Sequence, residues 1–125
     1  MTEMNLEQAR NLALLRRLYD GLESGRVDEV TATFSAAIVV HLRGAGGLDG
    51  TYRGLEEARS LYQRVLATLG AGFKVAPYEV LVHDESLVVV PQGSEFGNAW
   101  RGLDVYHVDD GAFSEAWITT WPAEP

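Results

Sequence analysis

The dipeptide Asp110-Gly111, set between two strand-like runs near the end of the chain, constrains the fold more than any other feature. A two-residue hairpin loop needs positive φ at both central positions, and Asp-Gly supplies it at little cost, so the turn fixes the register of its flanking strands. With Asp109 facing Ala112, strict pairing sets Val108 against Phe113, Tyr106 against Glu115, Asp104 against Trp117, Gly102 against Thr119 and Trp100 against Trp121. Side chains alternate across a strand, so all of these share one face. That face gathers Trp100, Tyr106, Phe113, Trp117 and Trp121 around one acid, Asp104, and is expected to form the wall of a cavity covered by helices. The opposite face, Leu103, Val105 and His107 beside Ser114, Ala116, Ile118 and Thr120, is smaller and mostly aliphatic. A second copy packed on it, giving a homodimer, is the economical expectation.

The elements upstream supply the cover. Leu6, Ala9, Ala13, Leu15, Leu18 and Leu22 fall at helical spacing, with Asn5 and Gln8 placed as a capping box and Ser24-Gly25 as the stop. A short helix from Val27 to about Phe34 leads into a β-branched strand, Ile38 to Leu42. The glycines at 44, 46, 47 and 50 lack the spacing and Lys-Ser/Thr ending of a phosphate loop, and read as a flexible connection. Leu55, Ala58, Leu61, Tyr62, Val65, Leu66 and Leu69 define a third helix whose first turn carries Glu56 and Glu57, where the helix dipole favours anions. Four strands follow, roughly Phe73 to Val82, Leu87 to Phe96, Ala99 to Val108 and Phe113 to Trp121. Helices first and a meander afterwards predict one α+β domain over residues 1–125, a curved antiparallel sheet with three helices from the N-terminal half enclosing a pocket.

Composition removes several function classes. The chain has no cysteine, which excludes disulfides, thiolate metal sites and a thiol nucleophile. A net charge of −8, with ten scattered Lys and Arg residues, opposes binding to nucleic acid. No apolar run approaches the roughly twenty residues a membrane span requires, and the acidic start has no leader pattern, so a cytoplasmic protein is expected. His41, His83 and His107 are too dispersed for a metal-ligand spacing, and no metal is expected.

Among titratable residues Asp104 is singled out. A carboxylate among tryptophans loses hydration, its pKa is expected to rise, and it can then donate a proton or a hydrogen bond. Its bland alternative is an aspartate tied to a neighbouring Trp or Tyr for structural reasons. His41 is the other candidate, as a general base near neutrality. Alternation from Val40 and Leu42 points it away from the cavity, which favours a packing or surface role, and His107 lies on the same outward face.

With these elements placed, the chain resembles the SnoaL-like branch of the NTF2-like superfamily, whose relatives include polyketide cyclases, ketosteroid isomerase and limonene epoxide hydrolase. The resemblance is carried by Leu18-Tyr19-Asp20-Gly21-Leu22 with Ser24-Gly25-Arg26-Val27-Asp28, by Val39-Val40-His41-Leu42, by Leu48-Asp49-Gly50-Thr51-Tyr52-Arg53-Gly54, and by Asp104-Val105-Tyr106-His107-Val108 with Asp110-Gly111 and Glu115-Ala116-Trp117. It implies a cone-shaped sheet around a deep apolar pocket, often in a dimer, and proton-transfer chemistry with no metal or organic cofactor. Asp104 falls where the isomerase holds a protonated, oxyanion-stabilising aspartate and where epoxide hydrolases place an acid. The isomerase's base position falls on Leu42, and its oxyanion tyrosine on Leu18, with Tyr19 one place away. The epoxide hydrolases' second acid falls on Thr119, and their arginine on Gly102. Neither known acid–base set is complete in this chain.

The expected function is therefore that of a cyclase, isomerase or lyase acting by acid–base catalysis on a mostly apolar, ring-containing molecule. Asp104 and His41 are its candidate catalytic residues, and Tyr19, Tyr62, Trp100, Tyr106, Trp117 and Thr119 its candidate substrate contacts. The alternatives are a noncatalytic carrier of a small apolar or aromatic molecule in the same pocket, and a dimeric interaction module.

Overall fold

Asn5 opens the first helix, α1 (Leu6–Ser24), by the reciprocal contact its spacing to Gln8 implies: its side chain accepts from the Gln8 N–H at 2.8 Å, and the Gln8 side chain accepts from the Asn5 N–H at 3.2 Å. Two donors that a helix start leaves open are thereby satisfied. At the far end Gly25 takes φ 72° and its N–H turns back to the carbonyls of Gly21 and Leu22. The computed structural model describes residues 4–69, 74–95 and 98–122. Helix α2 (Val27–Thr31) is shorter than the spacing of Val27, Val30 and Phe34 implies, because Phe34 already belongs to β1 (Phe34–Arg43). Gly21 is buried where α2 meets α1, and a Cβ there would lie only 3.0 Å from Val30.

The glycine segment is ordered rather than a flexible connection. It forms a 3-10 turn, Gly46–Leu48, and leads into β2 (Gly50–Arg53), an additional strand along β1. The Asp49 carboxylate accepts from the N–H groups of Gly44 and Ala45, at 3.1 and 2.6 Å, and holds the turn closed. Helix α3 (Leu55–Leu69) follows, then β3 (Lys74–Val82), β4 (Ser86–Glu95), β5 (Asn98–Asp109) and β6 (Ala112–Pro122).

The six strands lie in the order β2-β1-β6-β5-β4-β3. All neighbours are antiparallel except β1 and β6, which run parallel, so the sheet is mixed rather than wholly antiparallel. The fold class is α+β, with the three helices against one face, here called the inner face. Leu15 and Leu18 of α1 and Leu61 of α3 meet Ile38, Val40, Leu87, Val89, Tyr106 and Phe113 of the sheet in one buried cluster. Asn11, also buried, donates to the carbonyls of His83 and Asp84 at 3.2 and 2.9 Å and ties α1 to the β3–β4 turn. No helix among the described residues is long and apolar enough to cross a membrane.

Asp110 and Gly111 do take positive φ, 52° and 77°, and pair Asp109 with Ala112 and Val108 with Phe113. Beyond that the strict register fails. A bulge at Ser114 moves the pairing by one, so that His107 faces Glu115, Tyr106 faces Ala116, Asp104 faces Ile118, Gly102 faces Thr120 and Trp100 faces Pro122. One extra residue on one strand reverses the facing of everything after it. The physical reason is visible in what each register buries. Phe113 is wholly buried against Tyr106, with ring centroids 4.8 Å apart. Without the bulge the next inward side chain would be the carboxylate of Glu115, opposite Tyr106. With it, Ala116 and Ile118 turn inward while Glu115 and Trp117 turn out.

Candidate active site

Asp104 and Tyr106 stand two residues apart on β5 and therefore project together toward the helices. Tyr19 reaches them from α1. Its hydroxyl donates to Asp104 Oδ2 at 3.1 Å, and the Tyr106 hydroxyl donates to the same oxygen at 3.1 Å. Tyr62 of α3, tilted against Phe34 with centroids 5.6 Å apart, is close enough for the Asp104 charge to affect its hydroxyl. Asp104 is only 4% exposed, and Oδ1 is buried with no hydrogen-bond partner among the described residues.

Burial dominates the electrostatics. Loss of hydration pushes the Asp104 carboxyl up to about 7, against the opposing pull of the hydrogen bonds from Tyr106 and Tyr19. The same burial, joined by the charge of Asp104, holds the Tyr19 and Tyr106 hydroxyls well above the usual tyrosine value, and raises that of Tyr62 as well. The tyrosines thus remain donors, and Asp104 is the member of the cluster that changes protonation near neutrality. Since both donated hydrogen bonds end on Oδ2, the proton of the neutral acid belongs on Oδ1.

The structure brings Tyr19, Tyr62, Asp104 and Tyr106 to one place, and Trp100 lies on the same side, partly buried against the core. Its indole covers Gly93, where a Cβ would come within 2.6 Å of Trp100 Cζ2 and 2.2 Å of the Lys74 carbonyl oxygen. Trp117 and Thr119 are not with them. The bulge at Ser114 turns both to the outer face, and Trp117, 41% exposed, stacks on His41 with centroids 5.5 Å apart and planes at 14°. Ile118 and Thr120 take their inward places. His41 also lies outside, its Nε2 2.7 Å from Glu115 Oε2 and its Nδ1 3.2 Å from Thr51 Oγ1, so the sheet separates it from Asp104. Leu18, one residue from Tyr19, is wholly buried in the core. Among the described residues no group of three or more His, Cys, Asp or Glu is placed to hold a metal ion.

The sequence signal for the misplaced residues lay in Glu115. A strict register puts a second carboxylate into an apolar wall, whereas one inserted residue aligns Phe113, Ala116 and Ile118 inward.

Residues 15–116 match the SnoaL-like domain model. This chain belongs to the SnoaL-like domain family. No curated protein matches it. Solved structures resemble this SnoaL-like domain in fold at low identity. An NTF2-like protein of unknown function from Mesorhizobium loti is 15% identical with a TM-score of 0.79, over 95% of this chain and 97% of that one. A candidate ketosteroid isomerase from Kribbella flavida is 20% identical with a TM-score of 0.72, over 95% and 82%. An LEH-like epoxide hydrolase from M. tuberculosis is 15% identical with a TM-score of 0.72, over 90% and 84%.

Proposed function

We propose that this SnoaL-like domain is an acid–base enzyme, a cyclase, isomerase or lyase, in which neutral Asp104 donates from Oδ1 to a carbonyl or enolate oxygen of an apolar, ring-containing molecule. The observation that supports it is a carboxyl oxygen buried without a partner among the described residues while its twin accepts two tyrosine hydroxyls. A buried polar atom left unpaired costs on the order of 1–3 kcal/mol, and a ligand oxygen at Oδ1 removes that cost where charge develops in the reaction. Asp104 is the one group of the cluster brought near neutrality, so it supplies the acid of the proposed reaction. The family's isomerases and cyclases make the same kind of chemistry the natural reading.

The experiment has two stages. Native mass spectrometry of protein from its own source identifies a retained metabolite, and turnover of that compound is then compared with Asp104→Asn, which keeps shape and removes the titratable proton. A loss of roughly a hundredfold or more is expected. Unchanged turnover overturns the assignment, and unchanged affinity with no turnover in either protein leaves the carrier reading.

A second copy is proposed to cover the outer-face strip of Leu81, Leu103 and Trp121, which are 68%, 44% and 44% exposed. Sedimentation velocity across the micromolar range should show a dimer, and a monomer throughout removes the proposal.

A further inference from the structure

His41 on the outer face is held from three sides. Thr51 of β2 is its direct cross-strand neighbour, Trp117 of β6 is its neighbour on the other side, and Glu115 reaches it from two residues along β6. The Glu115 carboxylate accepts from Nε2 at 2.7 Å, which places the imidazole proton on that nitrogen. The lone pair of Nδ1 then faces the Thr51 hydroxyl, 3.2 Å away, and is positioned to accept its proton. Stacking on Trp117 fixes the plane of the ring. A hydroxyl, a base within hydrogen-bond reach of it, and a third group orienting the base form the arrangement that activates an oxygen nucleophile.

We propose that Thr51, His41 and Glu115 form a second, outward-facing acyl-transfer centre, separate from Asp104, whose substrates are esters of phenols. Thr51 is exposed and β2 is an edge strand; the Arg53 N–H on its free side is taken by the Glu57 carboxylate at 2.9 Å, which leaves the Thr51 N–H, two residues along on that side, to serve an oxyanion. The exposed face of Trp117 offers the aryl group an aromatic platform. The strip assigned above to a second copy lies on β3, β5 and the Trp121 end of β6, whereas Trp117 meets His41 of β1 and Thr51 lies on β2. In the acylation step Thr51 Oγ1 bonds to the ester carbonyl carbon as its proton passes to His41 Nδ1. The carbon–phenol oxygen bond then breaks, and the phenol departs with that proton. Water, deprotonated by the same nitrogen, hydrolyses the acyl-threonine, returns the hydroxyl to Thr51 and releases the carboxylic acid.

The probe is 4-nitrophenyl acetate, followed by rapid-mixing absorbance and by peptide mass mapping. A burst stoichiometric with protein, and one acetyl group on Thr51, are expected. Thr51→Val should abolish the burst, Thr51→Ser should retain it, and His41→Asn should slow it on the order of a hundredfold. Linear release with no acetyl on Thr51, acetyl found only on His41, or a burst that survives Thr51→Val would each overturn the proposal.

Discussion

Asp104 and Glu115 are carboxylates on neighbouring strands of one sheet, and they live under opposite conditions. Asp104, on the inner face, accepts from two phenolic hydroxyls, and one of its oxygens has no partner among the described residues. Glu115, on the outer face, pairs with an imidazole while its side chain remains 37% exposed. The difference shows that hydrogen-bond count does not decide the protonation of the inner acid. Two donated hydrogen bonds favour its charged form, yet loss of hydration outweighs them and carries Asp104 to about 7. Glu115 is more open to water, and its partner is the His41 ring. The inner face therefore holds a carboxyl brought to about 7 by burial, and the outer face a carboxylate hydrogen-bonded to a ring nitrogen.

The largest effect that tests this contrast is the pH dependence of stability. The folded value of Asp104, about 7, stands above its ordinary 3.8, so the folded state binds its proton more tightly than the unfolded chain. The associated stabilisation is complete below about pH 4 and is lost as pH rises through about 7. Urea unfolding of the wild type and Asp104→Asn across that window should show the wild type losing ground by roughly 1.4 kcal/mol per pH unit at most. A difference that does not vary with pH would break the comparison. A smaller effect sharpens it. The Tyr106 hydrogen bond opposes the upward shift, so Tyr106→Phe should move the alkaline limit of activity, or the Asp104 carboxyl resonance measured by NMR, to higher pH. Movement to lower pH would mean that the hydroxyl does not donate to Oδ2.

Much of the scaffold was legible because local chemistry and tertiary contacts agree. The Asn5–Gln8 box, the Gly25 stop and the Leu55–Leu69 helix follow directly from side chains that act within one turn of themselves. The inner cluster was partly legible. Alternation along β5 puts Asp104 and Tyr106 on one face, and that relation holds within a single strand whatever its neighbour does. Tyr19 was harder to place, since a one-residue step on a helix rotates a side chain by about 100° and separates a core position such as Leu18 from one that meets Asp104. The lining from β6 was misread because pairing was extrapolated from a turn past Phe113, where the demand for an apolar interior overrides strict alternation. The parallel meeting of β1 with β6 was invisible for another reason. It joins residues 76 to 79 positions apart, Val39 with Glu115 and Phe34 with Phe113 among them, and no local pattern encodes it.

Ser114 carries a wider lesson about how such interiors diversify. A chain shortened by that single position would turn an acid and an indole toward the helices and push an alanine and an isoleucine outward, with every other letter preserved. In this scaffold a change in length reaches the interior more directly than a change in letter.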